Sequence, residues 1–196
     1  MRRTTSLLVG LMIALAFHNG CENEQPFSPL AASDDYFPMQ VGNRWTYTLA
    51  YSTGAYTLEY EIVGTEMVGS HEYFVFERKF DLAVTTDTVY YRSDGDNRIF
   101  INFQGENVLY IDFNRTEGQS WQTYGEYIAT IEKADFQAEV PAGFFEHSVE
   151  VFFNYPSAVD DEVWEVYAPG VGLVEIRGFI GVIQLQSAEV NGVEIK

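Results

Sequence analysis

From Trp45 onward the chain changes residue type at every second position. Trp45, Tyr47, Leu49 and Tyr51 share one phase, with Arg44, Thr46, Thr48 and Ser52 in the other. Leu58, Tyr60 and Ile62 repeat the pattern against Thr57, Glu59 and Glu61, as do Ile99, Ile101 and Phe103. Val149, Val151 and Phe153 stand opposite Ser148, Glu150 and Asn154. Successive side chains of a β-strand point to opposite faces, so a sustained period of two predicts half-buried strands. Turn-forming pairs separate the runs, among them Thr53-Gly54, Gly69-Ser70, Gln104-Gly105, Pro169-Gly170 and Asn191-Gly192. Longer turn signals fall at Asp94-Gly95-Asp96-Asn97 and Pro141-Ala142-Gly143. Many are spaced by about 8–14 residues, close to the spacing of all-β folds. No window of helical length carries an uninterrupted 3.6-residue stripe. The expected fold is therefore all-β: an antiparallel meander of about ten strands, mostly hairpin-connected, forming a curved sheet, half-barrel or barrel.

Two runs are apolar in both phases. His71 to Phe80 places Tyr73 and Val75 on one side and Phe74, Phe76 and Phe80 on the other. Val163, Trp164, Val166 and Tyr167 behave similarly. A strand buried on both faces needs a second covering layer. That layer is a second sheet, a neighbouring wall, or a bound apolar ligand.

The N-terminus reads differently. Arg2 and Arg3 precede an apolar run, Ser6 to Phe17. A bilayer span needs roughly 20 apolar residues, so this shorter run reads as a secretory signal peptide. Two cleavage readings compete. Ala14-Leu15-Ala16 is an A-x-A site that would release a soluble chain beginning at Phe17. Gly20-Cys21, placed after the apolar core, resembles the lipobox of bacterial lipoproteins, and Cys21 is the chain's one cysteine. His18 departs from that motif, which has Leu, Val or Ile there. The favoured organisation is a signal peptide over 1–20, a lipidated Cys21 opening a flexible tether over 21–35, and an all-β domain over 36–196. The tether reading rests on Pro26, Pro29 and the small polar and acidic residues around them. The lipoprotein resemblance implies fatty acyl chains such as palmitate on Cys21, and Glu22 after it favours the outer membrane by analogy.

The charge excludes some functions. The formal net charge is -18. A nucleic-acid binder needs a basic face, and folded domains bound to anionic lipid need basic patches. Attachment to a membrane would therefore run through the lipid alone. Apolar residues form 46% and aromatics 16% of the chain, too rich for an acidic disordered protein.

A search for catalytic chemistry leaves little. Gly170-Val171-Gly172 lacks the third glycine and the following helix of a dinucleotide fingerprint. Gly118-Gln119-Ser120-Trp121-Gln122 lacks the second glycine of a nucleophile elbow. Ser70-His71 and His147-Ser148 are neighbours, and strand alternation predicts that neither pair meets. Past the signal peptide only His71 and His147 remain as histidines, too few for an ordinary zinc site. Asp94, Asp96 and Asn97 read as a turn, not as a calcium loop. No catalytic residue, metal site or cofactor is assigned. A glycosidase needs two placed carboxyls, and 29 acids leave that open without naming a pair.

Four stretches carry a resemblance. Tyr36-Phe37-Pro38-Met39-Gln40-Val41-Gly42-Asn43-Arg44-Trp45-Thr46-Tyr47 is similar to the opening of a group of uncharacterised exported bacterial proteins, many of them lipoproteins. Glu117-Gly118-Gln119-Ser120-Trp121, Val140-Pro141-Ala142-Gly143-Phe144-Phe145 and Tyr167-Ala168-Pro169-Gly170-Val171-Gly172-Leu173-Val174 resemble its later motifs, in order. The resemblance implies an antiparallel β meander closing partly or fully into a barrel. It brings no enzymatic chemistry. Gly42, Gly143, Gly170 and Gly172 read as turns or close approaches, Pro38 and Pro141 as strand starts, and Trp45 and Trp121 as core anchors.

The functional expectation is a non-enzymatic, lipid-anchored envelope protein, of the outer membrane, whose domain binds an apolar small molecule or a partner protein. The alternatives are a structural module of an envelope assembly and, last, a glycan hydrolase.

Overall fold

A computed structural model describes residues 35–51, 54–81, 85–159, 161–179 and 181–196. The expected signal peptide, Cys21 and the expected tether up to residue 34 lie outside the described residues. Among the described residues the secondary structure is strand and turn, without helix. The strands are β1 (Arg44–Tyr51), β2 (Gly54–Val68), β3 (His71–Phe80), β4 (Thr85–Ser93), β5 (Arg98–Phe103), β6 (Glu106–Asp112) and β7 (Ser120–Gln122). They continue as β8 (Ile128–Val140), β9 (Gly143–Asn154), β10 (Val163–Ala168), β11 (Gly172–Gly178), β12 (Gly181–Val190) and β13 (Val193–Ile195). Of the three strands beyond the expected ten or so, two are short pieces, β7 and β13, with 3 residues each.

The sheet order is β6-β5-β4-β3-β2-β1-β12-β11-β10-β9-β8-β7, with β13 on β12. Consecutive strands pair as hairpins, and β1 pairs antiparallel with β12. The meander thus returns on itself, and among the described residues the ring lacks a ladder only between β6 and β7. Those two strands are also consecutive in the chain. The protein is a nearly closed antiparallel barrel with one seam. Full closure would remove the exposed strand edges that invite aggregation; here the edges of β6 and β7 remain along the seam.

The inner phases are the expected ones where Trp45, Tyr47 and Leu49, and Val149, Val151 and Phe153, are buried. β9 departs from half-burial, because Ser148 and Glu150 of the opposite phase are buried as well, Ser148 bonded to the Phe145 carbonyl and Glu150 paired with Lys133 and Arg177. β-Bulges bend the long strands, in β2 between Ile62 and Gly64 and at three places in β8 between Ile131 and Ala138. The β8–β9 hairpin reaches over to β12, where the Ala142 N–H donates to the Leu185 carbonyl at 3.0 Å. Two buried clusters result, one centred on Trp45, Leu185 and Val174, the other on Tyr110, Ile131 and Val151.

Pro38 does not start a strand. The segment Asp35 to Asn43 is irregular and caps one end of the barrel. The Gly170 N–H donates to the Asp35 carbonyl at 2.7 Å, and the Gly42 N–H to the Ile62 carbonyl at 2.8 Å. Buried Asn43 ties both sides: its Nδ2 donates to the Pro38 carbonyl at 3.1 Å, and its Oδ1 accepts from the Asn191 N–H at 2.8 Å. Pro141 likewise lies in the turn between β8 and β9 instead of opening a strand.

Candidate functional site: the barrel interior

The inward phase of this barrel is aromatic. Phe37 of the capping segment packs against Phe76, Tyr91 and Tyr167 with ring centroids 5.8, 5.2 and 5.9 Å apart. Tyr91 meets Tyr110 at 5.3 Å, and Tyr110 meets Tyr124 at 5.9 Å and Phe153 at 5.3 Å. β-Branched and aromatic residues suit strands, but these rings do not fill the interior. They leave a cavity of about 330 Å³, bordered by Phe37 and Pro38 of the capping segment. The lower range of small-molecule sites begins near this volume, at about 300 Å³.

The floor is fixed by the capping segment. Trp45 Nε1 donates to the Val171 carbonyl at 2.7 Å, and the Tyr47 hydroxyl to the Leu173 carbonyl at 3.0 Å. Gly172 lies beneath them with φ +97°, and a Cβ there would meet Pro38 Cδ at 3.4 Å and Trp45 Nε1 at 3.6 Å. Arg78 also lines the cavity and forms a two-point ion pair with Asp87, with its Nε donating to Oδ1 at 2.9 Å. The Asp87 side chain is 60% exposed, so this pair reaches solvent.

Glu165 is the other charged residue on the cavity wall. It lies on β10 in the same phase as Val163 and Tyr167, and its remaining exposed surface is part of the cavity wall. Its carboxylate accepts from the Tyr110 hydroxyl at 2.9 and 2.7 Å and from the Tyr167 hydroxyl at 2.5 Å. Among the described residues no cation forms an ion pair with it. Burial raises its pKa above the ordinary 4.5, opposed by the Tyr167 and Tyr110 hydrogen bonds and by the more distant Arg78 charge. Burial, reinforced by the nearby Glu165 charge, drives the Tyr110 and Tyr167 hydroxyls well above their usual range. Both phenols therefore remain hydrogen-bond donors at physiological pH.

Other candidate residues fall elsewhere. Ser70 Oγ lies 3.3 Å from His71 Nδ1, so that pair does meet, against the expectation from strand alternation. Ser70 belongs to the β2–β3 turn, where the two-face rule does not apply. His147 turns away from Ser148 and contacts Asp135 at 2.5 Å on the exposed surface. Ser148 instead donates to the Phe145 carbonyl at 3.0 Å. None of these residues borders the cavity. The Asp94 to Asn97 segment is a hairpin turn: Asp94 accepts from the Asp96 N–H at 3.0 Å and from Arg98 Nε at 2.7 Å. Among the described residues no three His, Cys, Asp or Glu side chains are placed to hold a metal. The cavity wall presents one carboxyl, Glu165, where glycoside hydrolysis ordinarily uses two.

Comparison with solved structures places the architecture. A candidate exported protein with a YmcC-like fold from Bacteroides fragilis superposes with a TM-score of 0.50, covering 78% of this chain and 97% of that one at 17% identity. The two chains share a fold. A candidate lipoprotein from Parabacteroides distasonis gives a TM-score of 0.43 over 81% of this chain and 100% of its own, at 14% identity. No protein-family model matches the sequence, and no curated protein does.

Glu165 and Arg78 escaped the sequence reading, though both carried a signal. Each is a charged residue in the inward phase of an apolar strand: Glu165 between Val163 and Tyr167, and Arg78 between Phe76 and Phe80. Burying a charge is costly unless something compensates it, so a charge in that phase points to a polar interior.

Proposed function

We propose that the chain is a lipid-anchored, non-enzymatic envelope protein whose barrel holds a small, largely apolar molecule. The observation that carries the reading is the unfilled aromatic interior of about 330 Å³ with one polar anchor, Glu165, on its wall. Small-molecule sites have this make-up: apolar walls with a few placed polar groups. The anchor reading rests on the basic head, the short apolar run and Gly20-Cys21. One acyl chain binds a membrane marginally, and a second makes attachment stable. The tether and the net charge of -18 then hold the domain away from an anionic surface.

Native mass spectrometry of the chain isolated from its own envelope tests both parts. The expected result is a protein beginning at an acylated Cys21 and carrying a stoichiometric small molecule. Val89 lines the cavity, and V89W, which fills it, should lose that molecule. A chain beginning at Phe17 without acyl groups would overturn the anchor. An empty barrel that also takes up no small aromatic probe would overturn ligand carriage.

A second reading, a module of an envelope assembly, is favoured by the outer face. Phe179 is 80% exposed at the edge of an open groove formed with Trp164 and Val182. Loss of a cross-linked envelope partner on F179S, with the cavity occupied in both forms, would favour it.

A further inference from the structure

Glu165 has no structural need met by its charge. Among the described residues it makes no ion pair, and a glutamine of the same shape could take the same two tyrosine hydroxyls. A buried carboxylate without a countercharge costs free energy unless something else supplies the compensation. The charges along the cavity wall are few. Arg78 is already neutralised by Asp87 in a two-point pair. Among the described residues Glu165 is therefore the uncompensated charge on the cavity wall, with Tyr110 and Tyr167 fixing its orientation.

The surroundings narrow the ligand further. The rings of Tyr91, Tyr110 and Tyr124 line the same cavity as the carboxylate and form a connected aromatic set, with centroid separations of 5.3 and 5.9 Å. Aromatic faces attract cations through their quadrupole, by about 0.5–2 kcal/mol each as desolvation increases. A carboxylate set among such faces complements one positive charge on an otherwise apolar body. It repels anions, and it offers an uncharged ligand only a hydrogen-bond acceptor. The acidic chain, at -18, adds a field that draws cations towards the protein.

We infer that the cavity is a site for an organic monocation: an ammonium group against Glu165, with its apolar or aromatic body along Ile101, Leu173 and Ile176. This rests on the proposed carriage of a small molecule in the barrel and names the chemical class of that molecule. It assigns Glu165 as the specificity-determining residue, with Tyr110 and Tyr167 as the residues that position it.

A pair of isosteric probes separates charge from shape. 4-Hydroxyphenyltrimethylammonium and 4-tert-butylphenol have the same outline and differ by one positive charge. Each is titrated calorimetrically into the full chain in lipid nanodiscs, with empty nanodiscs as reference. V89W supplies the filled-cavity control. Near-UV circular dichroism checks its fold, and I176W replaces it if it does not fold. The expected result is at least tenfold tighter binding of the cation, lost in V89W. E165Q should weaken the cation at least tenfold and leave the phenol within threefold. Equal or tighter binding of the phenol, or an equal effect of E165Q on both probes, overturns the cation assignment and leaves the cavity reading standing. Binding of neither probe above the V89W level overturns both.

Discussion

The indole Nε1 of Trp121 donates to the backbone carbonyl of Tyr110 at 3.1 Å. One residue belongs to β7 and the other to β6, the two strands that the barrel leaves unpaired. A side chain thus joins the seam where a ladder is missing. Arg115 adds a second link, donating from Nη1 to the Ser120 carbonyl at 3.3 Å while its guanidinium lies over the Trp121 ring. The seam also bears on the cavity, because Tyr110 carries the hydroxyl that holds Glu165. Closure of the fold and orientation of the interior carboxyl are the same local construction seen from two sides.

Trp121→Phe should therefore destabilise the barrel by about 1–3 kcal/mol. It keeps most of the ring packing but leaves the buried Tyr110 carbonyl without its indole donor, and an orphaned buried acceptor costs about that much. Urea unfolding midpoints at constant m-value measure it. A change below about 0.5 kcal/mol, the range of ordinary surface substitutions, would mean the bond does not hold the seam.

Gly172→Ala should cost about 1–3 kcal/mol from backbone strain. The residue sits at φ +97°, where an L side chain is strained, while the new methyl would lie at ordinary van der Waals distance from Pro38 Cδ (3.4 Å) and Trp45 Nε1 (3.6 Å). Gly42, at φ +95° with open space around its Cβ position, supplies the control. G42A bears the same backbone strain, so the two variants should lower the thermal midpoint by similar amounts. A drop in G172A much larger than in G42A would mean that packing against Pro38 and Trp45, and not the backbone, sets the cost.

On the outer face Glu150 is buried to 2% exposure beneath Lys133 and Arg177, and both cations contact its carboxylate. Removing both partners as K133M/R177M strands a buried charge and should cost about 3–5 kcal/mol. Adding Glu150→Leu to that double variant should recover most of the loss, because three apolar side chains no longer bury an ion. Chemical denaturation of the double and triple variants checks the order. A triple variant less stable than the double would contradict it.

Alternation made the strands readable. Trp45, Tyr47 and Leu49, or Val149, Val151 and Phe153, declare an inner face through residue type alone, because burial selects for apolar side chains at period two. Closure was less accessible. Pairing of β1 with β12 brings Tyr47 opposite Leu185, a contact across most of the chain that no local pattern encodes. The capping segment was misread at Pro38 for a related reason. Its bonds run to Gly170, Ile62 and Asn191, and local propensity carries no trace of them. The cavity was anticipated only as one possible cover for strands apolar on both faces. Its polar centre lay in plain sequence at Glu165, hidden because an acid among Val163, Trp164, Val166 and Tyr167 reads as an interruption until its phase is compared with theirs.

Glu165 also gives the fold a pH dependence of definite sign. Burial, the largest influence, raises its pKa in the folded chain above the ordinary 4.5. Between 4.5 and that higher value the native state holds more protons than the unfolded state at this group, so its contribution to stability falls as pH rises. Below 4.5 both states are protonated and the contribution is complete; above the folded value it is lost. Glu165→Gln stays neutral throughout and makes no such loss. The variant should therefore match the parent at acid pH and become the more stable of the two as pH rises through the window, with a shallower stability slope there. Urea midpoints taken stepwise from acid to neutral pH measure the difference. Parallel curves would mean that Glu165 ionises with equal ease in the folded and unfolded chains, and that the interior is far better solvated than its aromatic walls imply.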